Sequence, residues 1–182
     1  MVELGGGSGF FAVFLSKLNW PNRVVCTDMN DDVLELAKKN VSDQLGQENH
    51  TTKCFVEKLE WGNENQEKHL TSTYPQTDLI IGIDTIYNAS KIDILFHTVC
   101  AILENANPGA LFITCMDDLF FEAQDELKKK ARISGFALAY EFELKSAPNE
   151  DPKLDARRVF VFCKKKKVNK KSYPQKEEES VT

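Results

Sequence analysis

The sequence predicts an α/β fold: an open, doubly wound, mostly parallel sheet with a C-terminal antiparallel hairpin. Three observations predict it. Short apolar or β-branched runs alternate with longer amphipathic stretches over residues 1–135, as in a sheet covered by helices on both faces. The last two apolar runs, residues 136–144 and 157–163, have no helical stretch between them and therefore read as a hairpin. Gly5, Gly6, Gly7 and Gly9 cluster between the first strand and the first helix, where exposed backbone N–H groups and a helix dipole favour a ligand.

The elements follow in order. Residues 1–4 form a short first strand, and the apolar stretch 10–18 is long enough for a helix, which Pro21 ends. Residues 23–27, RVVCT, read as a buried strand. In residues 31–41 Val33, Leu36, Ala37 and Val41 share one helical face. Asp31 and Asp32 at its start and Lys38 and Lys39 near its end suit the helix dipole. A polar loop over 42–52 leads to a third strand, 53–58, and a long polar loop, 60–76, to a fourth, 78–83. Residues 90–103 carry Ile92, Leu95, Phe96, Val99 and Leu103 on one stripe, with Ser90 and Asp93 as a capping box and Pro108-Gly109 as the stop. Residues 110–115 form a fifth strand. Residues 119–134 are an amphipathic helix with Asp118 as N-cap and Gly135 just past its end.

Composition narrows the function classes. The 182 residues suit one domain, 1–163, followed by a lysine-rich tail, 164–182, with too little apolar content to fold. The chain carries a net charge of −5, divided as −9 over the body and +4 over the tail. An acidic body argues against a surface that tracks nucleic-acid phosphates, so no nucleic-acid partner is expected. No apolar run reaches the ~18 residues of a membrane span, and the start resembles no secretory leader. Cys26, Cys54, Cys100, Cys115 and Cys163 form no C-x-x-C pair and mostly sit in apolar runs. Reduced cysteines in a cytoplasmic or nuclear protein are the expectation. His50, His69 and His97 have no metal-ligand spacing, and no metal is expected. The lysine run at 164–167 with Lys170 and Lys171 reads first as a solvated tail, then as a nuclear-import signal or a contact for an acidic partner.

The glycine turn lacks the Gly-Lys-Ser/Thr ending of a P-loop, and G-x-G-x-x-G fails at Phe10 and at Ala12. What stands there is Glu3 followed by Gly5, Gly7 and Gly9. The second strand ends in Asp28, a carboxylate placed to accept from ribose hydroxyls or to cap the next helix. Trp61-Gly62 follows the third strand. A tryptophan in a polar loop is either a ligand contact or an anchor on the domain edge. Asp84-Thr85-Ile86-Tyr87 follows the fourth strand, with capping open to Asp84 and core packing to Tyr87.

Glu3-x-Gly5-x-Gly7-x-Gly9 resembles the first motif of class I S-adenosylmethionine-dependent methyltransferases. With Asp28, Trp61-Gly62 and Asp84–x–x–Tyr87 in the same order at successive strand ends, residues 1–163 resemble methyltransferase family 16, many of whose members methylate protein lysines. The resemblance implies a Rossmann-like sheet of seven strands, the last antiparallel, and S-adenosyl-L-methionine as cofactor. By it, Glu3, Gly5, Gly7, Gly9, Asp28 and Trp61 bind that cofactor, with Trp61 against the adenine. Asp84 and Tyr87 face the substrate channel as the catalytic pair, and the partner is a lysine-bearing protein. Methylation of a small molecule or nucleobase amine is the alternative, because Asn88 follows the D-x-x-Y motif; a non-catalytic interaction protein is a third reading. Family members carry several dozen residues before the first motif, which help to cover the cofactor. The resemblance therefore also implies an N-terminally truncated form.

Overall fold

The computed structural model describes residues 1–45, 51–117, 121–144 and 157–165. Parallel strands β1 (Val2–Leu4), β2 (Arg23–Asp28), β3 (Lys53–Lys58), β4 (Leu79–Ile83) and β5 (Leu111–Asp117) are followed by β6 (Phe136–Leu144) and the reversed β7 (Arg157–Lys164). They form one seven-stranded sheet in the order β3-β2-β1-β4-β5-β7-β6. β7 runs antiparallel to both β5 and β6, which is the hairpin expected from the two final apolar runs.

Among the described residues the α-helices are α1 (Phe10–Lys17), α2 (Asp31–Leu45), α3 (Glu64–Thr73), α4 (Ile92–Ile102) and α5 (Phe121–Ile133). One sheet face carries the larger core. Phe96 of α4 meets Phe112 edge-on with centroids 5.6 Å apart, and Phe112 stacks on Phe162 at 6.0 Å. Such aromatic pairs add ~1 kcal/mol each to what burial alone supplies. On the other face Ala12 and Leu15 of α1 close over Val24, Cys26 and Ile81. Farther along the sheet Tyr140, Phe142 and Leu144 of β6 remain exposed. Among the described residues no helix is long and apolar enough to cross a membrane.

Four expectations need correction. The stretch 60–76 is not all loop: α3 occupies Glu64–Thr73. It shows little apolar periodicity because only Glu67 and Leu70 are buried on it, and its cap is Asn63, whose side chain accepts from the Gln66 N–H at 3.2 Å. α2 runs to Leu45 rather than Val41. Its added turn is held from outside by Lys17 Nζ donating to Gln44 Oε1 at 3.2 Å. Ser90 and Asp93 make no capping box. Asn88 accepts from the Ser90 N–H at 2.9 Å ahead of a single 3-10 turn, Ala89–Lys91, while Asp93 pairs with Lys130 at 2.5 Å. The last strand takes in Lys164, whose Nζ donates to carbonyls at the end of α4 and just beyond it. The predicted cap Asp118, the loop between the hairpin strands and the tail beyond Lys165 lie outside the described residues.

Candidate functional site

The glycine turn leaves β1 and is tied to β2 by backbone bonds. The Gly6 N–H donates to the Thr27 carbonyl at 2.8 Å, and the Gly9 N–H donates to the Gly6 carbonyl at 3.0 Å. Gly5 and Gly9 have φ of 63° and 74°, a region costly for residues with a Cβ. Space forbids a side chain as well. A Cβ on Gly5 would lie 2.6 Å from the Thr85 methyl, and one on Gly9 3.2 Å from Ala37 Cβ. Glycine here lets the β1 turn touch the β4 turn and lets α1 approach α2.

Asp28 closes β2 beside this turn. Its Oδ2 accepts from the Gly7 N–H and its Oδ1 from the Asn30 N–H, both at 3.1 Å. Asn30, not Asp28, caps α2, accepting from the Asp32 N–H at 2.9 Å. A carboxylate offers about four acceptor sites, so Asp28 keeps two for a ligand.

Glu3 lies beneath the turn, 4% exposed, and its Oε2 has no partner. Burial pushes its carboxyl up to about 7, against a hydrogen bond with Cys26 that lowers it. Burial also drives the Cys26 thiol far above its usual range.

Trp61 is half-buried and packs on the main core, so its anchoring role is real. The next residue explains why the loop holds still. The Gly62 N–H donates to Thr98 Oγ1 at 2.8 Å, and Thr98 donates to Glu67 Oε1 at 2.6 Å. Glu67 carries no signal in the sequence because α3 has almost no apolar stripe, and Thr98 is a polar residue buried on the otherwise apolar face of α4.

Asp84 has φ 52°, and its N–H donates to the Cys115 carbonyl at 2.9 Å. Its side chain caps no helix; Oδ1 lies 2.6 Å from Arg157 Nη1. Tyr87 is 71% exposed and therefore takes no part in the core.

Gly5, Asp28, Trp61, Asp84 and Tyr87 line one cavity of about 300 Å³. Glu60 and Lys91 add charge to it, giving three carboxylates against one ammonium. Glu3, Gly7 and Gly9 lie outside this lining. Such a site suits a cationic, partly aromatic ligand. Among the described residues no His, Cys, Asp or Glu group converges as a metal site.

A family model described as lysine methyltransferase matches residues 1–122. The chain belongs to that family. It is a methyltransferase, and solved methyltransferases share its fold. One from Pyrococcus furiosus aligns over 90% of this chain and 74% of its own, at TM-score 0.65 and 16% identity. A S-adenosylmethionine-dependent methyltransferase from Methanosarcina mazei aligns over 90% of this chain and 91% of its own, at TM-score 0.63 and 12% identity. Magnesium protoporphyrin IX methyltransferase from Synechocystis, solved with S-adenosylmethionine bound, aligns over 90% of this chain and 68% of its own, at TM-score 0.57 and 12% identity. No curated protein matches.

S-adenosylmethionine is the cofactor of this methyltransferase family, and the residues present fit it. At Gly5 the turn leaves backbone exposed where a Cβ would meet Thr85, Asp28 keeps free acceptor sites, the Trp61 ring lines the same cavity, and the excess of carboxylates suits a sulfonium.

Proposed function

We propose that this methyltransferase transfers the methyl group to a lysine amine of a protein substrate. One observation carries the reading: a carboxylate and an exposed aromatic ring, Asp84 and Tyr87, line the same cavity as the glycine turn and Asp28. In this reading Gly5, Gly7 and Gly9 shape the cradle for the methionine part, with Glu3 beneath it. Asp28 accepts from the ribose hydroxyls, and Trp61 lies against the adenine. When bound, S-adenosylmethionine supplies a methyl already activated on sulfur. The protein's task is then alignment, which holds nucleophile, carbon and sulfur in line.

A lysine amine has a pKa of about 10.4 in water and must lose a proton before it attacks. Asp84 accepts a hydrogen bond from the arriving nitrogen and orients it. Tyr87 gives the cation an aromatic wall, a contact of ~0.5–1 kcal/mol at an exposed site. The proton leaves to solvent, which reaches both side chains. The nucleobase alternative rests on Asn88, whose Oδ1 accepts from the Ser90 N–H at the turn before α4. The free cysteines, all five without a disulfide, support a cytoplasmic or nuclear setting.

The test is incubation of the protein and of Asp84→Asn with cell extract and radiolabelled S-adenosylmethionine. Label in nuclease-resistant protein, mapped to lysine and lost with Asp84→Asn, is the expected result. Label confined to nucleic acid or to small molecules contradicts it.

A further inference from the structure

Asp84 does not meet the cavity as a lone carboxylate. Its Oδ1 lies 2.6 Å from Nη1 of Arg157, a residue 73 positions away that opens β7. The sheet order explains the meeting, because only β5 separates β4 from β7. Asp84 lines the cavity and Arg157 reaches it from outside that lining, their side chains 49% and 35% exposed. Other charged and titratable groups surround the pair. Asp117 of β5 stands opposite Arg157 in the ladder, and the Cys115 thiol feels both charges. Lys91 and Tyr87 come from the segment after β4, and Asp28 and Glu60 line the same cavity.

We propose that Arg157 sets the charge that Asp84 presents to an acceptor, so that the site releases the acceptor's proton instead of retaining it. This rests on the lysine reading above. A bare carboxylate beside an amine favours the ammonium form and raises its pKa. That form has no lone pair and cannot attack. A guanidinium at 2.6 Å offsets the carboxylate charge but occupies only part of its acceptor capacity. Asp84 then still orients an N–H without holding the proton. The acceptor ammonium gives one proton to solvent water, and its nitrogen forms the new bond to the methyl carbon. The electrons of the breaking C–S bond stay with sulfur, and the methylated nitrogen carries the positive charge away. Arg157 is a positioning residue that acts through Asp84.

The experiment uses N-acetyl-lysine methylamide as the probe, with the full chain and with Arg157→Gln, Arg157→Met and Arg157→Lys. Calorimetry at pH 7 reads probe binding, and methyl transfer to the probe is followed against pH. Exposed ion pairs add little to stability, so thermal unfolding of the variants is expected to match the parent. Arg157→Gln and Arg157→Met bind the cationic probe about tenfold more tightly, and their transfer rates rise about one pH unit later. Arg157→Lys restores both values. If the parent binds the probe while Arg157→Gln and Arg157→Met bind it no more tightly and keep the same pH profile, the inference is overturned and the lysine reading stands. If neither parent nor variants bind it, the lysine reading falls and the inference falls with it.

Discussion

The two banks of the cavity are built in opposite ways. On the first, Asp28 and the glycine turn come from adjacent parallel strands and are tied together by backbone N–H donors: Gly7 and Asn30 to the Asp28 carboxylate, and Gly6 to the Thr27 carbonyl. On the second, Asp84 and Tyr87 project from one turn after β4, half or more exposed, and the main tie on the Asp84 carboxylate crosses the sheet to Arg157. The first bank is preorganised for one fixed ligand. The second is open to solvent, as the proposed protein substrate would require. A rigid site avoids ordering costs on binding, whereas an exposed one must meet them when its partner arrives.

The largest effects are expected where the first bank is broken. A Cβ at Gly6 would collide with the Cys26 sulfur and lie 2.9 Å from Glu3 Oε2. Gly6→Val should cost about 3 kcal/mol of stability, which a urea unfolding midpoint reads. Next comes the buried acid beneath the turn. The Glu3 carboxyl rises from 4.5 to about 7 in the folded protein, so the folded state binds its proton more tightly than the unfolded chain. Its contribution is full below about pH 4.5 and is lost as the pH rises through about 7. Glu3→Gln should therefore flatten stability over that window by about 3 kcal/mol relative to the parent. Unfolding free energies measured at pH 5 and pH 8 check it.

Most of the first bank was legible in the sequence. The strands are buried on both faces and so appear as uninterrupted apolar runs, and a ligand turn at their ends is spelled in glycine. Asp28 stands where the second run stops. The second bank was legible only as a local motif. Asp84 and Tyr87 are close neighbours in the chain, but the charge that governs Asp84 comes from 73 residues away, and no local pattern announces an ion pair made by strand order. α3 hid for a related reason. A helix that buries only Glu67 and Leu70 has almost no apolar stripe, yet through Thr98 that same Glu67 holds the loop carrying Trp61. The cap of the turn before α4 was misplaced by two residues because Ser90 and Asn88 are both capping types, and only the backbone path decides between them.

Changes on the second bank should be smaller and leave the first untouched. Asp84→Asn keeps the shape and removes the charge; methyl transfer should fall about tenfold or more, with unchanged affinity for S-adenosylmethionine. A change in cofactor affinity would join the two banks that the geometry separates. Tyr87→Phe should be the mildest. Its ring is exposed, so stability should stay within ~0.5 kcal/mol and turnover should drop only a few-fold, as steady-state rates and a thermal melt would show.

The central claim, that the adenosyl group is held where β1 and β2 end, is tested most directly by calorimetry of S-adenosylmethionine binding to the parent and to Asp28→Ala. The account predicts binding by the parent and an affinity lower by about a hundredfold in the variant, roughly 3 kcal/mol, with the fold intact by circular dichroism. Equal affinity in both proteins would contradict it.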